Sequence, residues 1–139
     1  MIIDAIKKHF EEECTLFAGK KLNVNCLGEK PQACVIEPTP CKPVLEKYTD
    51  GGSKRQITFC IATREFFDAE MQQNLKTQEF YEALENWIDK QNESNNLPKL
   101  EKGYEPVEYE VMNGGYLQDV TGNKARYQIN LRLIYERDY

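Results

Sequence analysis

Apolar residues recur every three or four positions at the start of the chain, where Ile2, Ile3, Ile6, Phe10, Cys14 and Phe17 form one stripe. That is the period of an amphipathic helix. Lys7, Lys8, Glu11 and Glu12 fall on the other side, with Lys7-Glu11 and Lys8-Glu12 at i,i+4 spacing. The spacing predicts a helix over 2–17 with Gly19 as its stop. His9, beside Lys8, is expected among the solvated residues. The period then shortens to two. Leu22, Val24 and Cys26 alternate with Asn23 and Asn25, a short half-buried strand ending at Gly28. Pro31 breaks the chain, and 33–37 reads as a second short strand. Pro38, Pro40 and Pro43 keep 38–43 extended and irregular, and an extended run restarts at 44–48.

The clearest early strand follows the turn Asp50-Gly51-Gly52-Ser53. Ile57, Phe59 and Ile61 belong inside, while Gln56, Thr58, Cys60 and Ala62 are polar or small. Asp68 then offers a helix cap, with Glu70 in the first turn. Thr77 followed by Glu79 resembles a second cap, so two helices are expected, near 69–75 and 78–91. The second carries Phe80, Tyr81, Leu84, Trp87 and Ile88 on one face. Pro98 and Gly103 make 92–106 a loop. Val107, Tyr109 and Val111 alternate with Glu108 and Glu110 until Gly114-Gly115 interrupts them. Tyr127, Ile129, Leu131, Leu133 and Tyr135 then alternate with Arg126, Gln128, Asn130, Arg132 and Ile134, after a turn over 119–124. So regular a strand needs a covered face, and the helices are the available cover. The predicted fold is α+β, a single domain over 1–139 built on a mostly antiparallel β-sheet with helices packed on one face.

Composition narrows the function. A net charge of −5, with basic residues scattered or only paired (Lys20-Lys21, Lys54-Arg55), supplies no field for sequence-specific nucleic-acid binding. The start of the sequence lacks the pattern of a signal peptide, and no stretch approaches the roughly 20 apolar residues of a membrane span. A soluble, intracellular protein is expected. Five cysteines (Cys14, Cys26, Cys34, Cys41, Cys60) with no C-x-x-C and a single histidine read as reduced, mostly buried thiols rather than a zinc site.

No phosphate loop, dinucleotide fingerprint, nucleophile elbow or H-E-x-x-H is present. Gly51-Gly52-Ser53-Lys54 has the wrong spacing for a phosphate loop and no helix after it. His9 and Cys14 lie about 140° apart round a helix, so they do not face each other. Glu11-Glu12-Glu13 reads as a solvated helix face. Glu108 and Glu110 share a strand face, where cross-strand arginines such as Arg126 or Arg132 explain them more simply than acid catalysis does. No enzyme activity, cofactor or metal is expected. Three polar segments, the 48–55 turn, the 92–106 loop and the 113–124 turn, stand as contact elements or as plain turns.

A set of segments in order, LGEKP, VIEPTPCKPVLEKYTDGGSKRQITFCIATREFF, FYEALENWIDKQN, LPKL and GGYLQDVTGNKARYQINLRLIY, resembles a family of small phage proteins. These are the minor capsid or tail terminator proteins of siphophages and prophages of Gram-positive bacteria, and the resemblance runs over nearly the whole chain. It implies a structural virion protein, made in the host bacterial cytoplasm and located at the head-tail junction. The expected assembly is a ring homo-oligomer, typically a hexamer, on the head-proximal end of the tail tube. Its expected partners are other copies of itself, the tail tube protein and the head-tail connector protein, with no membrane and no sequence-specific nucleic acid. Related folds are α+β. A head-completion or connector protein, or a small monomeric binding module, remains an alternative.

Within such a ring, a long hairpin with a flexible tip at Asp50, Gly51, Gly52 and Ser53 would reach a neighbour or the tube below. Lys54 and Arg55 would then pair with acidic groups such as Glu108 or Glu110 across the boundary.

Overall fold

A computed structural model describes residues 2–14, 22–24, 34–66, 71–121 and 124–138. Its elements in chain order are α1 (Ile2–Glu13), β1 (Leu22–Val24), β2 (Cys34–Thr39), β3 (Val44–Lys47), β4 (Ser53–Phe66), α2 (Met71–Glu93), β5 (Tyr104–Thr121) and β6 (Lys124–Arg137). The expected stop at Gly19, the strand end at Gly28, the cap at Asp68 and the turn tip at Gly122-Asn123 lie outside the described residues. So do Phe17 and Cys26.

The fold is α+β. The sheet runs β1-β2-β4-β6-β5, with β3 pairing β4 beyond the end of β2. Among the described residues only β1 and β2 are parallel; the other pairs are antiparallel. β4 and β6 form the backbone of the molecule, paired without a break from Ser53↔Arg137 to Phe66↔Lys124.

That register puts Phe59 opposite Leu131 and Ile61 opposite Ile129, so the odd-numbered positions of both strands share one face. Ile3, Ile6, Phe10 and Cys14 from α1 and Tyr81, Leu84 and Ile88 from α2 meet that face in a single core. Both helices therefore cover the same side, as the alternation required. Phe10, fully buried, touches rings from three elements: Phe59 at 6.3 Å between centroids, Trp87 at 5.0 Å and Tyr109 at 5.5 Å. Burying one such side chain stabilises the fold by about 1.5–3 kcal/mol.

Two boundaries differ from expectation. Residues 71–93 form one helix, not two. The segment holds neither glycine nor proline, so no backbone group forces a break, and the cap-like Thr77 sits within continuous helix. At its end Asn95 takes φ 55, the Asn95 N–H donates to the Asn92 carbonyl at 3.2 Å, and the Asn96 N–H to the Gln91 carbonyl at 2.9 Å. This Schellman closure satisfies the last carbonyls without glycine.

β5 begins at Tyr104 and continues through Gly114-Gly115, which was expected to interrupt it. Four register shifts, between Pro106 and Asp119, absorb extra residues as bulges. Pro106 is tolerated because β5 is an edge strand. The glycines let the bulged backbone close on α2: a Cβ at Gly115 would collide with the Tyr81 ring.

Candidate interaction surface

The turn singled out in the sequence is compact. The Tyr48 N–H donates to the Gly52 carbonyl at 2.8 Å and the Gly51 N–H to the Tyr48 carbonyl at 3.1 Å. The Gly52 N–H donates to Asp50 Oδ1 at 2.9 Å, so Asp50 holds the turn from within. Gly51 has φ 93, a conformation that favours glycine. Gly52 lies so close to the Arg137 carbonyl that a Cβ there would sit 3.1 Å from its oxygen. The first arm, β3, is four residues long, and the second is paired with β6 from Ser53 onward. The long, flexible hairpin expected from the sequence is instead a tied-down corner of the sheet, because each glycine serves a hydrogen bond or a close approach.

Lys54 and Arg55 point to opposite faces. Lys54 lies opposite Glu136, and Arg55 opposite Tyr135 on the helix side, where its Nε donates to the buried Ser53 hydroxyl at 2.9 Å. Glu108 and Glu110 lie on the helix-free face of β5, opposite Ile134 and Arg132. The structure thus places Lys54 beside Glu136 on the same chain and brings neither Lys54 nor Arg55 to Glu108 or Glu110 within it. Glu110 receives the Arg132 guanidinium at 2.6 Å, the cross-strand pairing the sequence suggested. Glu108 is exposed.

That helix-free face is a polar lattice. Arg132 also donates to Gln56 Oε1 at 3.0 Å. Arg126 reaches Glu37 at 3.2 Å, and Gln128 and Asn130 both donate to the Tyr116 hydroxyl, at 2.8 and 3.2 Å. Thr58, Cys60 and Ala62, between these long side chains, are buried although no described helix lies over them. Burial and Glu37 push the Cys60 thiol up, against the opposing pull of Arg126. This is the reverse of what a nucleophilic cysteine needs. Cys14 and Cys34 are buried too, and Cys41 is exposed.

His9 departs furthest from expectation. It is buried, with Nδ1 2.8 Å from the Tyr109 hydroxyl and its ring near those of Tyr109 and Trp87. A cavity of about 210 Å³ beside it is lined by Lys8, Glu12, Glu13, Asn96 and Lys99 among others. Burial lowers the His9 pKa, while the Glu13 carboxylate and the Asn96 carbonyl act in the raising direction. The helical spacing held the signal, since His9 follows Ile6 by three residues and precedes Phe10.

Two unlike edges complete the surface. On one side β3 carries exposed Leu45 and Lys47, with exposed Lys42 just before it. On the other, β5 carries exposed Val107 and Met112 together with Glu105 and Glu108. Nothing in the sequence pattern announced Asn92, whose side chain touches the second edge. Its Nδ2 donates to the Tyr109 carbonyl and its Oδ1 accepts from the Tyr109 N–H, both at 2.8 Å. Compared with known proteins, the chain matches no family model and no curated protein.

Proposed function

We propose that this chain is a structural subunit of a phage virion, a tail terminator. It forms a ring at the head-proximal end of the tail tube and joins the tube to the head connector. The sequence resemblance supplies the family, and the unlike sheet edges carry the reading structurally. A closed ring needs a heterologous contact, in which one surface of a subunit meets a different surface of the next. Leu45 with Lys42 and Lys47, two cations against the single Glu46, on one edge, and Val107 and Met112 with Glu105 and Glu108 on the other, have that complementarity.

The test is solution mass by light scattering across a concentration series, with electron microscopy of any large species and of purified tail tubes mixed with the protein. A discrete species near six times the 16.2 kDa chain, about 97 kDa, that caps tube ends supports the reading. A ring that binds the portal assembly and leaves tubes uncapped assigns the protein to head completion instead. A monomer at every concentration that also ignores tail tubes overturns both.

A further inference from the structure

An edge strand presents unpaired backbone N–H and C=O groups, and a long one with exposed apolar side chains invites another strand to pair with it. β5 offers such a stretch between its first two bulges, where 108–111 keep regular register and the flanking bulge residues Val107 and Met112 are 40% and 50% exposed. Midway between those two side chains its backbone is already engaged. The Asn92 carboxamide offers one acceptor and one donor, as a peptide unit of a neighbouring strand would, and it uses both on Tyr109 at 2.8 Å. The position of Asn92 is fixed from behind: its own carbonyl accepts from Asn95 in the closure that ends α2.

We propose that Asn92 is an edge lock, which keeps β5 from adding a strand of a second copy of this chain. The strand it excludes is β3. Among the described residues β3 pairs on one side alone, with β4. It exposes Leu45 to meet Val107 or Met112, and two cations, Lys42 and Lys47, against the single Glu46, to meet Glu105 and Glu108. Pairing β5 with another β5 antiparallel about Tyr109 would instead oppose Glu108 to Glu110, which like charge disfavours. A β3-to-β5 contact is head-to-tail and, where its rotation does not close, grows into open filaments. With the lock in place, subunits meeting across these edges do so through side chains, and the sheet is not extended. The inference does not rest on the virion reading, because it concerns what the free edge does in any assembly.

The experiment compares the wild-type chain with Asn92→Ala and Asn92→Asp, reading amide hydrogen exchange at Tyr109 and solution mass against concentration. Asn92→Ala is expected to raise the Tyr109 exchange rate at least tenfold at high dilution. Its mass should then climb with concentration beyond the wild-type species. Asn92→Asp keeps the acceptor and loses the donor, so both effects should be intermediate, and it serves if the alanine variant does not fold. Adding Leu45→Lys to Asn92→Ala should abolish the growth of mass beyond the wild-type species. Wild-type mass at every concentration despite faster exchange, unchanged exchange at Tyr109, or growth indifferent to Leu45→Lys would each overturn the proposal.

Discussion

The Nδ1 atom of His9 and the hydroxyl of Tyr109 lie 2.8 Å apart, a buried contact between α1 and β5 across one hundred positions of sequence. Burial holds the Tyr109 phenol well above its ordinary range, so it stays protonated, and lowers His9 below 6.5. In the unfolded chain His9 takes up a proton near its ordinary value, whereas the folded protein resists it. Stability from the neutral imidazole is therefore fully present above pH 6.5 and is lost as pH falls through the lowered folded value. Around the ring, Glu13 acts to raise that value, and Lys8, Glu12 and Lys99 line the adjoining cavity. The urea midpoint of the wild type is expected to fall between pH 7 and 5. His9→Gln, which cannot take up that proton, should flatten this slope.

Tyr81 joins helix to sheet at two levels. Its hydroxyl meets Thr63 Oγ1 at 2.7 Å and donates to the Tyr127 carbonyl at 2.9 Å, while its ring fills the space over Gly115. Tyr81→Phe leaves both partners without the hydroxyl and is expected to cost about 1–3 kcal/mol in urea denaturation. Gly115→Ala forces the ring or the bulge to move and should cost about the same, 1–3 kcal/mol. Because a Tyr81 ring displaced by Gly115→Ala also carries its hydroxyl away from Thr63 and Tyr127, the double variant should lose less than the sum of the two.

Glu110 and Arg132 make the shortest ion pair among the described residues, yet the carboxylate side chain is 46% exposed. Screening by solvent limits such a pair to about 1 kcal/mol or less. Glu110→Gln should lower stability by no more than that, and by still less in 1 M salt. Should the same variant abolish assembly, its effect lies between subunits and not within them.

The tied-down corner makes a separate forecast. Gly51→Ala places a side chain at φ 93 and is expected to cost about 1–2 kcal/mol by thermal or urea unfolding. Lys54→Glu combined with Arg55→Glu changes one charge on each face. If these residues hold a neighbouring subunit, that double variant loses ring assembly while keeping wild-type circular dichroism. Intact rings and capped tails would remove them from the interface.

Much of this arrangement was legible where one physical effect dominates. The α1 stripe and the alternation of β6 fixed which faces turn inward, since apolar burial depends on period alone. His9 is buried by its place in the α1 stripe, which outranks its polar side chain. The helix at 71–93 stays single because a cap-like residue does not end a helix where no breaker follows. The continuation of β5 through Gly114-Gly115 was hidden because those glycines answer to the Tyr81 ring, a neighbour far away in sequence. Asn92 was invisible for the same reason, as its partner Tyr109 is set by the ending of a helix and the path of a distant strand. Of the residues picked for an interface, Glu108 and Glu110 lie on the acidic β5 edge, and 50–55 adjoin β3. Their roles between copies were never readable, because pairing across subunits leaves no mark on periodicity.

The middle of the sheet is supplied late. β6 pairs with β4 on one side and β5 on the other, so both wait for it. On the ribosome, α2 and β5 emerge with no strand to join them to β4, and the apolar faces of the earlier elements stay open meanwhile. Contacts spanning so much sequence close slowly, and exposed strands are prone to mispairing while they wait. Nascent chains stalled before residue 124 should therefore bind chaperones and resist compaction, and release of β6 should turn the whole sheet on at once.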